Sequence, residues 1–262
     1  MNTPLSEDTE YDDDFIARLE FRWGKGFLSP GGATEVLAIA QGIQIEGRKV
    51  LDFGCGLGGA DLVLAEKCHP SSVIGLDIDA GLITKARALA KEAGLDGKVQ
   101  FVKSDPGKLD FENDSFDVVF SKDAILHIDD KRWIYEEFSR LLKSGGALAI
   151  SDWLKAEGDC LALESFFSED LGLTVVFQTV QEVQELLGSI GFSGIDTDDR
   201  HSWFKELTKR EADQLSGPRK EEYIKAVGEE NAMASINAVQ KLASIAESGE
   251  LRPTHVRARW RH

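Results

Sequence analysis

Short apolar runs that alternate with amphipathic stretches constrain this 262-residue chain more than any other feature. Lys49 to Phe53, Val73 to Asp77, Val99 to Lys103, Phe116 to Ser121 and Ala147 to Ser151 read as buried strands. They are too short for buried helices and rich in β-branched or aromatic residues. Leu62–Lys67, Ala80–Glu92 and Lys131–Leu142 read as helices between them. Strands separated in this way form a parallel sheet with helices on both faces. Upstream, residues 15–45 read as helical, interrupted at Gly31-Gly32. Downstream, a strand-like run from Gly194 leads into about fifty charged, mostly helical residues. Thr254, Val256, Ala258 and Trp260 then alternate with His255, Arg257, Arg259 and Arg261. A period of two marks a half-buried strand. The sixth and seventh strands are expected to form an antiparallel edge, giving an α/β sheet of about seven strands.

Charge narrows the partners. With 46 acidic and 30 basic residues the formal charge is −16. Such a surface repels nucleic acid and anionic membranes. Cys55, Cys68 and Cys160 are odd in number and form no metal-type cluster, so they read as reduced thiols and no metal is expected. No apolar run approaches a membrane span. Met1 to Asp14 is acidic and lacks the basic-then-apolar order of a signal peptide. The expectations are a cytoplasmic location, a small-molecule partner and a monomer or homodimer.

The first strand ends in Val50-Leu51-Asp52-Phe53-Gly54-Cys55-Gly56-Leu57-Gly58-Gly59. Glycines there let the backbone turn sharply and approach a ligand closely. Gly54, Gly56 and Gly58 read as Gly-x-Gly-x-Gly, while Gly54, Gly56 and Gly59 fit a dinucleotide fingerprint, so the glycines alone leave both ligands open. Asp52 helps to decide: it would repel a pyrophosphate, whereas the ammonium at the methionine end of S-adenosylmethionine (SAM) would be attracted. Asp77 ends the second strand, where a carboxylate can accept bonds from ribose hydroxyls, and Ser104-Asp105 ends the third, where an acid can accept the adenine amino group. One such acid is an ordinary helix cap. Three at successive strand ends, where α/β ligands bind, point to a nucleoside.

With these motifs in place, residues 45–151 resemble the class I SAM-dependent methyltransferases with their Rossmann-like sheet. Phe120-Ser121-Lys122-Asp123-Ala124-Ile125-Leu126-His127-Ile128 resembles the phosphoethanolamine N-methyltransferase branch, and sarcosine and dimethylglycine methyltransferases carry a related stretch. Trp23 to Gly32 is similar to that branch's N-terminal segment, and Tyr11 stands twenty residues before the Gly-Gly pair, at the spacing of the branch's tyrosine. The resemblance implies a catalytic pair of Tyr11 and His127. It implies cofactor contacts from Ser29, Asp52, Gly54, Asp77, Ile78 and Asp105, with Asp123 holding the amine. It also implies an N-terminal helical lid over 1–44 and a SAM-binding domain over 45–262, with helical insertions at about 153–190 and 200–250. The branch holds phosphate through a Tyr-x-x-x-Arg-x-Tyr cluster; those positions here are Glu169, Leu173 and Val175, and no Lys or Arg occurs between Lys155 and Arg200.

The expected reaction is methyl transfer from SAM to the nitrogen of a small amine, releasing S-adenosylhomocysteine. A protonated amine must lose a proton, and histidine titrates near working pH. If Asp123 and His127 share a helical turn, their i,i+4 spacing puts acid and base on one face. Trp153 could stack on a cationic amine, with Glu169 as a second acceptor contact. The SAM motifs are equally compatible with an oxygen or sulfur acceptor. Binding without turnover and nicotinamide chemistry are the remaining readings; Tyr11 with His127 argues against the first, and Asp52 against the second.

Overall fold

The computed structural model describes residues 11–105, 107 and 109–261. β1 (Lys49–Phe53), β2 (Ser72–Asp77), β3 (Val99–Lys103), β4 (Phe116–Lys122), β5 (Leu142–Lys155), β6 (Phe192–Asp199) and β7 (Leu251–Trp260) form one sheet in the order β3-β2-β1-β4-β5-β7-β6. β1 to β5 pair in parallel. β7 is antiparallel to both neighbours and lies between β5 and β6, so β6 is the outermost strand.

Alternation along the strands builds two cores. Val50, Val118 and Phe120 face α2 (Gly32–Ile39), α3 (Gly59–Val63) and α4 (Ala80–Glu92), packing with Val36, Ile39, Ala60, Ile83 and Ala86. Leu51, Val119, Leu148 and Ile150 face α5 (Lys131–Leu141) and α7 (Val180–Ile190), packing with Ile134, Phe138, Val183 and Leu187. Side chains on α4, α5 and α7 close their first turns: Asp79, Asp130 and Thr179 each accept a backbone N–H, the last within a capping box.

Several element boundaries differ from the sequence expectation. β5 begins at Leu142, earlier than Ala147, through a bulge opposite Asp117, and it continues past Ser151 to Lys155. The helix expected at Leu62–Lys67 starts at Gly59 and widens into a π-helical stretch over Leu64–Cys68. The stretch 15–45 resolves into α1 (Asp13–Trp23) and α2, joined through Gly31, whose φ of +94° suits glycine. A Cβ on Gly31 would also lie 2.9 Å from the Trp203 ring.

A third cluster roofs the carboxyl ends of the strands. α6 (Leu161–Ser165) and the π-helical turn after it (Phe166–Asp170) bring Leu163, Phe166 and Phe167 against Phe204 of α8 (His201–Ser216). Leu242 and Ile245 of α10 (Glu229–Ser248) complete it. A fourth cluster lies beside it: Tyr223 of α9 (Lys220–Val227) packs with Leu215 of α8 and Ile236 of α10, and its ring lies 4.8 Å from that of Phe21 on α1. Buried Glu35 of α2 binds His255 of β7 at 2.6 Å and Arg200 at 3.1 Å, fixing the N-terminal segment to the far strands. Burial works against ionisation of Glu35, but the His255 and Arg200 contacts outweigh it and hold its pKa below the usual carboxylate range.

Candidate active site

The carboxyl ends of β1, β2, β4 and β5 open at one edge of the sheet, and the expected functional residues divide between two halves of that edge. In the first half, Gly54, Gly56 and Gly58 all adopt positive φ, at +73°, +54° and +83°. The loop has no room for side chains: a Cβ on Gly54 would lie 2.2 Å from Ala124 Cβ, and one on Gly58 would lie 2.4 Å from the Phe101 ring. Gly54 and Cys55 donate to Leu76 O, and Gly59 donates to Gly26 O at 3.0 Å, so the N-terminal segment touches the loop directly.

Asp77 Oδ2 accepts from Gly56 N at 2.8 Å and Oδ1 from Asp79 N at 3.0 Å. Each oxygen keeps a lone pair for an incoming hydroxyl. Ile78 beside it is 52% exposed, an apolar surface next to that carboxylate. Ser104 donates its N–H to Asp77 O. Asp105 is exposed and pairs with Lys103 at 2.9 Å.

Asp52 is buried at the tip of β1, and both its oxygens lack a hydrogen-bond donor among the described residues. Burial is the main force on it; the adjoining Asp61 carboxyl and the Lys122 charge oppose that, the Asp77 charge adds to it, and the pKa is pushed up to about 7. A buried orphan carboxyl is costly on its own. It fits a cationic partner that the protein itself does not supply.

In the second half, Lys122 at the end of β4 is buried and binds Asp123 Oδ2 at 2.8 Å and the Ser29 hydroxyl. Ser151 Oγ donates to Asp123 Oδ1 at 2.8 Å. This corrects the expected geometry. Asp123 has φ +56° and lies outside the 3₁₀ turn Ile125–His127, so Asp123 and His127 share no helical face. The two residues belong to different local structures because β4 turns sharply at Asp123 to reach that short helix. The Asp123 carboxylate is already matched by Lys122.

Asp152 of β5, buried under the same turn, accepts from Leu126 N at 3.2 Å. Burial raises its pKa to about 7, against the pull of Lys131 and with the push of Asp123. Buried Lys131 donates to Ile125 O at 2.5 Å. His127 has an exposed edge, yet desolvation, followed by the Lys131 charge, holds its pKa below the ordinary 6.5. A neutral imidazole at neutral pH is the form that accepts a proton.

The Tyr11 ring lies tilted against that of Phe15, 5.6 Å between centroids, and joins Ile16, Leu28, Leu57 and Leu82, which places the start of α1 over the glycine loop. Trp153 packs edge-on against Phe167 and Phe204, at 5.6 and 5.3 Å, within the roof cluster. Leu173 and Val175 join that cluster, and Val176 N binds Leu126 O at 2.9 Å, tying the roof to the His127 turn. Glu169 is exposed and accepts from Ser165 Oγ at 2.8 Å. The sequence reading assigned no role to Lys122, Lys131 or Asp152, although Lys122 stands in the quoted stretch beside Asp123 and Asp152 directly precedes Trp153.

A family profile described as "Methyltransferase domain" matches residues 45–208. The chain is 33% identical over 226 residues to Phosphoethanolamine N-methyltransferase 1 of Arabidopsis thaliana, which covers 86% of this chain and 45% of that protein. It thus spans about half the length of the first curated relatives it matches. Among solved structures, it is similar to a Haemonchus contortus phosphoethanolamine N-methyltransferase 2 in complex with phosphomonomethylethanolamine and S-adenosylhomocysteine. The TM-score is 0.89 at 23% identity, covering 99% of this chain and 62% of that one. It is also similar to a putative sarcosine dimethylglycine methyltransferase from Galdieria sulphuraria, with TM-score 0.79, 21% identity and coverage of 95% and 97%.

Proposed function

The chain belongs to the methyltransferase-domain family, and on that premise we propose that it transfers a methyl group from SAM to the nitrogen of a small-molecule amine. The observation that carries the cofactor reading is Asp52, a buried carboxyl at the glycine loop with no donor of its own among the described residues. Asp52 binds the cofactor's ammonium, Asp77 and Ile78 hold its ribose side, and Ser104 and Asp105 flank its adenine. Gly54, Gly56 and Gly58 leave room for its chain, and Ser29 closes over it. When bound, SAM supplies an activated methyl group. The protein's own task is to place the amine in line, exclude water and take up a proton. His127 accepts that proton as a neutral base, and Tyr11 closes the site from the turn just before α1. Asp123, matched by Lys122 and Ser151, anchors the floor. Lys131 and Asp152 fix the turn that carries His127.

The acceptor reading is an amine that needs no phosphate handle. The lid positions that would hold phosphate are exposed Glu169 and the packed Leu173 and Val175. Three cations near the lid and the last strand are engaged elsewhere: Lys241 by Asp170, Arg252 by Asp199, and Arg257 by the carbonyls of Ala38 and Ile39. A phosphate without such partners forgoes charge-assisted bonds of roughly 1.5–3 kcal/mol each. One observation favours a second reading. Arg18 stacks over Phe15 at 4.9 Å, its Nε is buried without an acceptor among the described residues, and Phe15 also touches Tyr11. A guanidinium there would suit a carboxylate or phosphate on the acceptor.

The test is S-adenosylhomocysteine release across amino alcohols, amino acids, their phosphorylated analogues, phenols and thiols. The expected order puts an unphosphorylated amine first. Efficient turnover of phosphoethanolamine alone, lost in Arg18→Ala, would establish the second reading instead. Asp52→Ala or Asp77→Ala should abolish the rise in melting temperature that SAM gives by mass action. A normal rise in both would refute the cofactor assignment.

A further inference from the structure

Asp61 is assigned no role in the cofactor site above, yet it is the immediate neighbour of its central carboxylate. It lies in the first turn of α3, completely buried, and its carboxyl is within hydrogen-bonding reach of Asp52. None of the four oxygens finds a donor among the described residues. The meeting is built into β2: Gly75 stands opposite Asp52 in register. A Cβ on Gly75 would lie 2.6 Å from Asp61 Oδ1 and 2.6 Å from the Phe101 ring. Any larger residue there would push Asp61 away.

Two adjoining carboxylates without donors cannot both stay ionised, because desolvation and mutual repulsion favour the acid form. A single proton between them supplies the missing donor. The surroundings do not remove the conflict. From β2, Asp77 adds a negative charge; from β4, Lys122 adds a positive one, but it is already bound to Asp123. From the loop, Cys55 stays a neutral thiol, its pKa pushed up by burial and by these same carboxylates.

We infer that Asp61 is a positioning residue that shares one proton with Asp52 in the free protein, and that this proton passes to solvent when the cofactor's ammonium docks beside Asp52. This rests on the cofactor reading above. No bond in the cofactor breaks: the ammonium arrives charged, the O–H of the carboxyl pair breaks, and buffer takes the proton. The direction agrees with burial, which raises both pKa values. SAM affinity then strengthens as pH rises, by up to about tenfold per pH unit below the pKa of the pair. In Asp61→Asn the amide donates to an ionised Asp52, so affinity loses that pH dependence.

The experiment is calorimetric titration of the full chain with SAM, in two buffers of different ionisation enthalpy, between about pH 6 and pH 8. Wild type should release close to one proton per SAM at about pH 6, falling towards none at about pH 8. Methylthioadenosine, which lacks the methionine end, should release none, and neither should SAM with Asp61→Asn. A cofactor-free arm follows stability by denaturant. A carboxyl pair with raised folded pKa loses stability as pH rises from about 4 through about 7. Asp61→Asn should therefore be flatter across that window than wild type. SAM binding without proton release, or equal pH slopes in the two unliganded proteins, would overturn the inference alone. No SAM binding at any pH would overturn the release together with the cofactor reading. If Asp61→Asn does not fold, the wild-type proton count decides.

Discussion

At the tips of β1 and β2 the site is built of backbone amides and carboxylates without cations of their own; at the tips of β4 and β5 buried carboxylates lie beside buried lysines. The first half has no spare volume, since Gly54, Gly58 and Gly75 each sit where one more carbon would collide with a neighbour. The second half depends on charges that match in pairs: Lys122 with Asp123, and Lys131 near Asp152. One half is therefore vulnerable to added atoms, and the other to lost charges.

The largest effect should come from Gly54→Ala. Its methyl would meet Ala124 Cβ at 2.2 Å on a backbone with φ +73°, and strain of both kinds compounds. SAM should give no thermal shift, and turnover should vanish. A variant that kept the wild-type shift would break the contrast at its strongest point. Next is His127→Ala, expected to lower kcat by about 10²–10⁴-fold. SAM affinity should change by less than about twofold, because His127 belongs to the other half. An equal loss in both constants would merge the two halves into one.

A smaller effect concerns pH. Desolvation and Lys131 hold the His127 pKa below 6.5, and a base works when unprotonated. The acid limb of kcat should therefore lie below pH 6.5. Lys131→Met should move it upward by less than about one unit, since desolvation remains. A limb that stayed fixed would show that Lys131 does not act on His127. The smallest effect is expected of Glu169→Gln. This exposed residue bonds to Ser165, and its loss should alter kcat/KM for amines by less than about twofold. A large loss would mean that the roof closes further over the acceptor than these contacts place it.

Legibility followed the same division. The glycine loop, Asp52 and Asp77 could be read because backbone approach and strand-end carboxylates leave a local signature. The alternation of strands and helices gave the sheet, including a late antiparallel strand. The place of β7 inside the edge was not legible, since pairing across a long helical excursion depends on tertiary packing. Nor was the bulged start of β5, because Lys143 to Gly146 reads locally as a turn. Asp61 was hidden for another reason: an acid in a helix's first turn is ordinary, and only the fold back to Asp52 makes it unusual. A usable signal was Gly75, an unexplained glycine inside a strand, which marks a close approach. Asp123 and His127 misled through spacing alone. An i,i+4 pair implies one face only within a helix, and Asp123 lies outside the short turn that carries His127.

The most direct measurement uses SAM carrying a ¹³C-labelled methyl, mixed with an unphosphorylated amino alcohol and its phosphorylated analogue in competition. Carbon NMR then reads the atom that receives the label. The account predicts an N-methyl signal on the unphosphorylated amine, with S-adenosylhomocysteine formed in equal amount, and loss of both in His127→Ala. Label on oxygen or sulfur, or on the phosphorylated amine alone, would contradict it.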